Sequence, residues 1–146
     1  MGKNVVVIGG SLVGLELAEF LVERGREATL LAEGQQLGLP MAMPRRWTAA
    51  RKAQQHGVKV HRFARATRIT KDHVEFTVSP PKDEKGEQQL RVAADTVIYA
   101  GGTAASAPLA AELEAAGLSV QVIGDAGRVG YIDGAIHSAW EATRTL

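Results

Sequence analysis

Val5-Val6-Val7-Ile8-Gly9-Gly10-Ser11-Leu12-Val13-Gly14 opens the stretch that decides the fold, which runs on as LELAEFLVERGREATLLAEG to Gly34. Asn4 to Ile8 is β-branched and apolar on both faces, as a buried parallel strand reads. Apolar residues at Leu12, Leu15, Ala18, Phe20, Leu21 and Val22 then predict a helix to Arg24, with Gly25 as its stop. Ala28 to Leu31 is a second apolar run. Strand, glycine turn, helix and strand within about 30 residues make a βαβ unit.

The turn fits G-x-G-x-x-G with Ser11 at the middle position. The first glycine permits a tight bend off the strand. A small middle residue lets backbone amides approach a diphosphate, and the last glycine allows close packing of helix on strand. The helix start adds unpaired N–H groups and the positive end of the helix dipole. Gly9, Gly10, Ser11, Leu12, Val13 and Gly14 are therefore candidate contacts for a dinucleotide. The alternative is a glycine-rich turn kept only for packing.

Downstream, a loop spans 34–43. Pro44 can serve as N1 of a second helix through Trp47 and Ala53 to a stop at Gly57, and Val58 to Val60 is a third short strand. The period then changes. Val74, Phe76 and Val78 alternate with Glu75 and Thr77, and Leu90 and Val92 with Arg91 and Ala93, around a charged turn from Pro80 to Gly86. This predicts an antiparallel meander of three strands beginning near Arg68, with one wet face. Thr96 to Ala100 returns to buried-strand character and ends in Gly101-Gly102. A helix is expected from Ser106 to Ala116, a buried strand from Ser119 to Ile123 ending in Gly124-Asp125, and a last helix capped by Asp133 and running to Arg144.

The expected fold is α/β: a Rossmann-type three-layer domain, its central parallel sheet covered by helices on one face and by the three-stranded antiparallel meander on the other. Residues 1–118 form the nucleotide domain in this reading, and 119–146 a C-terminal strand–helix segment.

The 146 residues suffice for one such core, and 45% are apolar. A net charge of +1 argues against nucleic-acid binding through bulk charge. With no cysteine, disulfides, thiolate metal sites and a redox dithiol are excluded. His56, His61, His73 and His137 show no zinc-hydrolase spacing and are expected at the surface or in packing, and the two tryptophans, Trp47 and Trp140, in packing; no metal site is expected. No run reaches the roughly 18 apolar residues of a membrane span, and no signal peptide is present, so a soluble cytoplasmic protein is the expectation.

An acidic residue some 20 positions past the glycines, at the end of the second strand, binds the adenosine ribose in dinucleotide folds. Glu33 lies 19 residues beyond Gly14 and is the candidate, which favours NAD. Arg45 and Arg46, with Arg51, are the rival candidates, gathering round the 2′-phosphate of NADP; otherwise they are a solvated helix face.

Beyond the turn, VVVIGGSLVGLELAEFLVERGREATLLAEG at 5–34, DTVIYAGG at 95–102, and VQVIGDA at 120–126 followed by a helix with Ala135, Ala139 and Trp140 resemble the nicotinamide-nucleotide domain of the pyridine nucleotide-disulfide oxidoreductase superfamily. Within it the chain is most similar to the 2,4-dienoyl-CoA reductase and trimethylamine dehydrogenase family. The order and spacing of these segments cover nearly the whole chain. The resemblance implies a module that orients NAD(P)H for hydride transfer to a flavin. It places Glu16 near the nicotinamide, the backbone of Ala100, Gly101 and Gly102 along the nicotinamide side, and Asp125 at the flavin's ribityl chain. No catalytic side chain is implied, because the cofactors carry the chemistry.

Two departures stand out. The family's FAD fingerprint lies well upstream, whereas this chain begins three residues before the first strand. FAD is thus expected only if the missing flavin-binding half comes from other sequence, a parent chain or a flavoprotein partner, and the chain is not expected to be catalytically complete alone. The family's ribose acid also falls at Ala32, with Glu33 one step late. The alternatives are a stand-alone nucleotide-binding module and a scaffold or interaction domain. The apolar C-terminal segment is expected either to add a strand to the sheet or to exchange with a second copy in a homodimer.

Overall fold

β1 (Asn4–Ile8) lies inside a four-stranded parallel sheet of order β3-β2-β1-β7, in which β2 spans Glu27–Ala32, β3 Lys59–Arg62 and β7 Thr96–Tyr99. The structure is a computed structural model describing residues 2–80 and 86–144. The chain folds as two compact units, Met1–Gly102 and Thr103–Leu146. The change of unit falls before the third helix, whereas the sequence predicts a division at 118/119.

In the first unit, strand alternation sorts the apolar run onto two faces. Val5 and Val7 of β1 and Ala28, Leu30 and Ala32 of β2 join Leu15, Ala18 and Leu21 of α1 (Leu12–Glu23) and Ala50 and Ala53 of α2 (Met43–Gln55) in one core. Val6 and Leu31 point the other way, to Ala64, Val74 and Phe76 of an antiparallel meander formed by β4 (Ala64–Ile69), β5 (His73–Val78) and β6 (Gln88–Ala93). This is the three-layer α/β arrangement expected. The turn expected at Pro80–Gly86 lies, at 81–85, outside the described residues.

The helix ends follow from the sequence. At the end of α1, Gly25 N–H donates to the Val22 carbonyl and Arg26 N–H to the Leu21 carbonyl, the paired bonds of a left-handed glycine stop, with Gly25 at φ +75°. Gly57 closes α2 in the same way, with φ +104° and Val58 N–H donating to Ala53. Phe20, expected on the apolar face of α1, is instead half exposed and lies under the Arg24 guanidinium, 3.5 Å from its ring centroid. Both tryptophans, expected in packing, are mostly exposed, at 61% for Trp47 and 57% for Trp140, and each carries an arginine over its ring.

The second unit holds α3 (Pro108–Ala115), a 3-10 turn at Gly124–Ala126 and α4 (Tyr131–Arg144). The strand expected over 119–123 does not form: the segment has no ladder partner among the described residues, and Val122 and Ile123 are exposed. A strand exists only through hydrogen bonds to a neighbour, which an apolar run by itself does not supply. Asp133 does not cap α4 either; the helix starts at Tyr131 and Asp133 stands in its first turn.

Candidate functional site

The C-terminal ends of β1, β2 and β7 and the loops that follow them enclose a cleft of about 350 Å³. Ile8, Gly9, Gly10 and Ser11 line it from β1, Ala32, Glu33, Gly34, Gln36 and Leu39 from beyond β2, and Tyr99, Ala100, Gly101 and Gly102 from β7. In parallel α/β sheets this edge is where ligands bind, because the strands end there and the helix N-termini face it.

The three glycines of the turn are explained first by the protein's own packing. A Cβ on Gly14 would lie 1.9 Å from the Gly9 carbonyl oxygen, so α1 touches the bend with no room for a side chain. A Cβ on Gly10 would lie 2.4 Å from that of Ala32. Gly9 sits at φ +124°, and its Cβ would lie 2.3 Å from the Ala100 carbonyl oxygen. What points to a ligand is the space these contacts leave and the state of the helix start beside it.

That start is only partly satisfied. Ser11 is the N-cap of α1, yet its hydroxyl makes no capping bond. No acidic residue stands in the first turn to neutralise the dipole. Among the described residues the Ser11 and Val13 amides have no backbone acceptor, whereas the Leu12 amide donates to the Leu39 carbonyl at 2.9 Å. Leu12, expected among the free amides, is therefore already engaged. Gly38 N–H donates to the Gly10 carbonyl at 2.8 Å, so the loop after β2 straps the turn on both sides.

Of the other expected site residues, Glu33 is exposed and lines the cleft, the one charged residue to do so among the described residues. Ala32, at the family's acidic position, is buried against Gly10. Ala100, Gly101 and Gly102 line the opposite end. Val13, Gly14 and Glu16 lie outside the lining; Gly14 is buried and Glu16 exposed. Arg45 and Arg46, at the start of α2, are also outside it. Asp125 belongs to the other unit, where its Oδ1 accepts the Gly130 amide at 3.0 Å and holds the turn before α4.

Sequence reasoning missed Ile8, Ala32, Gly34, Gln36, Leu39 and Tyr99 in the lining. Gln36 and Leu39 lie in an irregular loop with no period to read. Tyr99 was within reach, since the last residue of a strand beside the glycine turn's strand must border the same edge.

Away from the cleft, Glu19, Glu23 and His56 bring ligand-type atoms within 4.8 Å of one another. The Lys52 ammonium already sits 2.8 Å from Glu19 Oε1 and supplies the positive charge there, and Glu19 in turn raises the lysine's pKa. His61 packs edge-on against Phe76 with ring centroids 4.9 Å apart, and burial lowers its pKa. No helix among the described residues is long and apolar enough to cross a membrane.

The family described as pyridine nucleotide-disulphide oxidoreductase matches residues 1–132. An NADH oxidase of Thermoanaerobacter brockii is 30% identical over 139 residues, which make up 95% of this chain and 21% of that protein. A 2-naphthoyl-CoA reductase structure superposes with a TM-score of 0.82 at 26% identity, over 97% of this chain and 21% of its own. Histamine dehydrogenase from Rhizobium sp. 4-9 gives a TM-score of 0.85 at 20% identity, over 99% of this chain and 23% of its own, a likeness of fold. The chain thus spans about a fifth of the length of these proteins. The resemblance stated from sequence is borne out.

Proposed function

The chain belongs to the pyridine nucleotide-disulphide oxidoreductase family, whose members are flavin-dependent oxidoreductases, and on that premise we propose that it binds a nicotinamide dinucleotide in the cleft and orients it for hydride transfer to a flavin held by other sequence. The observation that carries this is the cleft itself: the C-terminal ends of three adjacent parallel strands with an uncapped, unneutralised helix start between them.

In this reading the diphosphate lies at the start of α1. The Ser11 and Val13 amides and the Ser11 hydroxyl donate to it, and no lysine or arginine takes part. Glu33 accepts from the adenosine ribose hydroxyls on the β2 side. A carboxylate there repels a 2′-phosphate, so NADH is preferred to NADPH, and Arg45 and Arg46 stay on a solvated face. The nicotinamide half runs to the β7 side, over Ala100, Gly101 and Gly102. The bound dihydronicotinamide supplies the hydride; this chain's residues bind and orient it, with no acid or base required. Asp125 is the residue we assign toward a flavin, in agreement with the family's Gly-Asp motif, and a flavin partner or parent chain completes the reaction.

Calorimetric titration with NADH, NADPH and ADP-ribose tests this. Saturable binding of all three, tightest for NADH over NADPH, is expected. An absence of binding for all three leaves a shared fold without the shared task.

A further inference from the structure

Tyr99 ends β7, lines the cleft and is 76% exposed, the most exposed aromatic ring of the first unit. Strand alternation puts it there. Val97 packs toward the meander and Ile98 toward the helices, so Tyr99 turns to the side of Val97 and of Ile8, its neighbour in register on β1. The ring does not project freely. A Cβ on Gly101 would lie 2.2 Å from the Tyr99 Cζ and Oη atoms and 2.5 Å from Cε1. The outer end of the phenol therefore lies close to Gly101, and the ring lines the cleft. A side chain at Gly101 would push the end of this ring aside, whereas a Cβ on the next residue, Gly102, would meet nothing. Among the described residues the phenol oxygen has no hydrogen-bond partner, so no polar contact accounts for the ring's place.

An exposed aromatic ring at the edge of a cleft is a platform on which another flat ring can stack. The sheet order β3-β2-β1-β7 sets Tyr99 and Glu33 on opposite sides of the glycine turn. With Glu33 on the adenosine side, the flat ring on the β7 side is the nicotinamide. We propose that Tyr99 is the stacking residue for the nicotinamide ring, and that Gly101, without a side chain, leaves the end of the tyrosine where it lies. A nicotinamide held on one face presents the other to an acceptor. The assignment rests on the nucleotide reading of the cleft.

The test compares the full 146-residue chain with Tyr99→Ala and Tyr99→Phe, titrated with NADH and with ADP-ribose, which lacks the nicotinamide. An exposed side chain can be truncated without unfolding the sheet, and circular dichroism checks this. Tyr99→Ala is expected to weaken NADH roughly tenfold, the size of one lost ring stack, and to leave ADP-ribose within about twofold. Tyr99→Phe keeps the ring and is expected to bind NADH as the parent does. The dihydronicotinamide fluorescence of the complex should change with Tyr99→Ala and not with Tyr99→Phe. If Tyr99→Ala weakens both ligands alike, weakens neither, or tightens NADH, the tyrosine assignment is wrong while the nucleotide reading stands. If the parent chain takes up neither ligand, the nucleotide reading fails and the assignment with it.

Discussion

Gly14→Ala puts the packing of the glycine turn under direct load. The new Cβ would sit 1.9 Å from the Gly9 carbonyl oxygen, whereas ordinary contact begins near 3.4 Å, so helix and bend must part by about 1.5 Å. A flexible side chain could swing aside, but this obstacle is backbone, and Gly9 is itself pinned against the Ala100 carbonyl. Moving α1 outward instead drags Leu15, Ala18 and Leu21, all at most 3% exposed, out of the core. Overpacking costs about 1–3 kcal/mol, and a rigid backbone neighbour puts this case at the top of that range. The helix gains about 1 kcal/mol from exchanging glycine for alanine. The net expectation is a loss of about 2 kcal/mol, near 10 °C in Tm for a unit of this size. Urea denaturation followed by circular dichroism measures it. Gly34→Ala is the control: its Cβ would meet only the Gln36 amide nitrogen, at 3.9 Å, and its stability should not move. The displaced start of α1 should also weaken ADP-ribose about tenfold or more, through the lost amide contacts. A Gly14→Ala variant as stable as the parent would refute the packing argument.

Phe76→Ala empties the core under the meander, where Phe76 is 2% exposed beside Val6, Leu31 and Val74, and should cost about 3–5 kcal/mol by urea unfolding. A loss under 1 kcal/mol would mean that the meander does not pack on the sheet as described. Glu33→Ala should narrow the preference for NADH over NADPH about tenfold by calorimetry, and an unchanged ratio would remove Glu33 from the ribose. His73 links Asp72, 2.7 Å from its Nδ1, and Glu75, 3.3 Å from its Nε2, at the β4–β5 turn. The hydrogen bond to Asp72, then that to Glu75, raises the histidine's pKa, and His73 and Thr70 lower that of Asp72. A raised histidine contributes stability that is full below its unfolded value, about 6.5, and lost as pH rises through the folded one; a lowered aspartate contributes above its unfolded value, about 4, and loses it as pH falls. The stability gap between the parent and His73→Gln should therefore be widest between about pH 4 and 6.5 and close at higher pH. Because His61 is present in both proteins, its opposite dependence cancels in that difference. A gap of equal size at low and high pH would discard the pairing.

The first unit was legible because its signals are local and redundant. The Val5–Ile8 run, the glycine turn and the Gly25 and Gly57 stops each demand the same backbone, and alternation along β5 and β6 marks the wet face of the meander. The second unit was legible in its two helices but not in its strand. Ser119–Ile123 carries the β-branched composition of a strand, but the ladder that makes a strand is a property of its neighbours. Trp47 and Trp140 looked like core residues by size, yet both cover helix surface beneath arginines. Within the site, the glycines and Glu33 were readable from spacing, while Leu39 was not, because its role is played by a backbone carbonyl that any residue type carries. Tyr99 was passed over for another reason: inside an apolar strand a tyrosine reads as packing unless its place at the strand's end, on the glycine turn's edge, is weighed.

The most direct measurement follows the backbone amides of the isotope-labelled chain by NMR during titration with NADH. The account predicts saturable shifts concentrated at Gly10, Ser11 and Val13, extending to Glu33 and Gly34 on one side and Gly101 on the other, with the meander amides of β4–β6 unmoved. Shifts confined to the meander or to the second unit, or none at millimolar NADH, would contradict it.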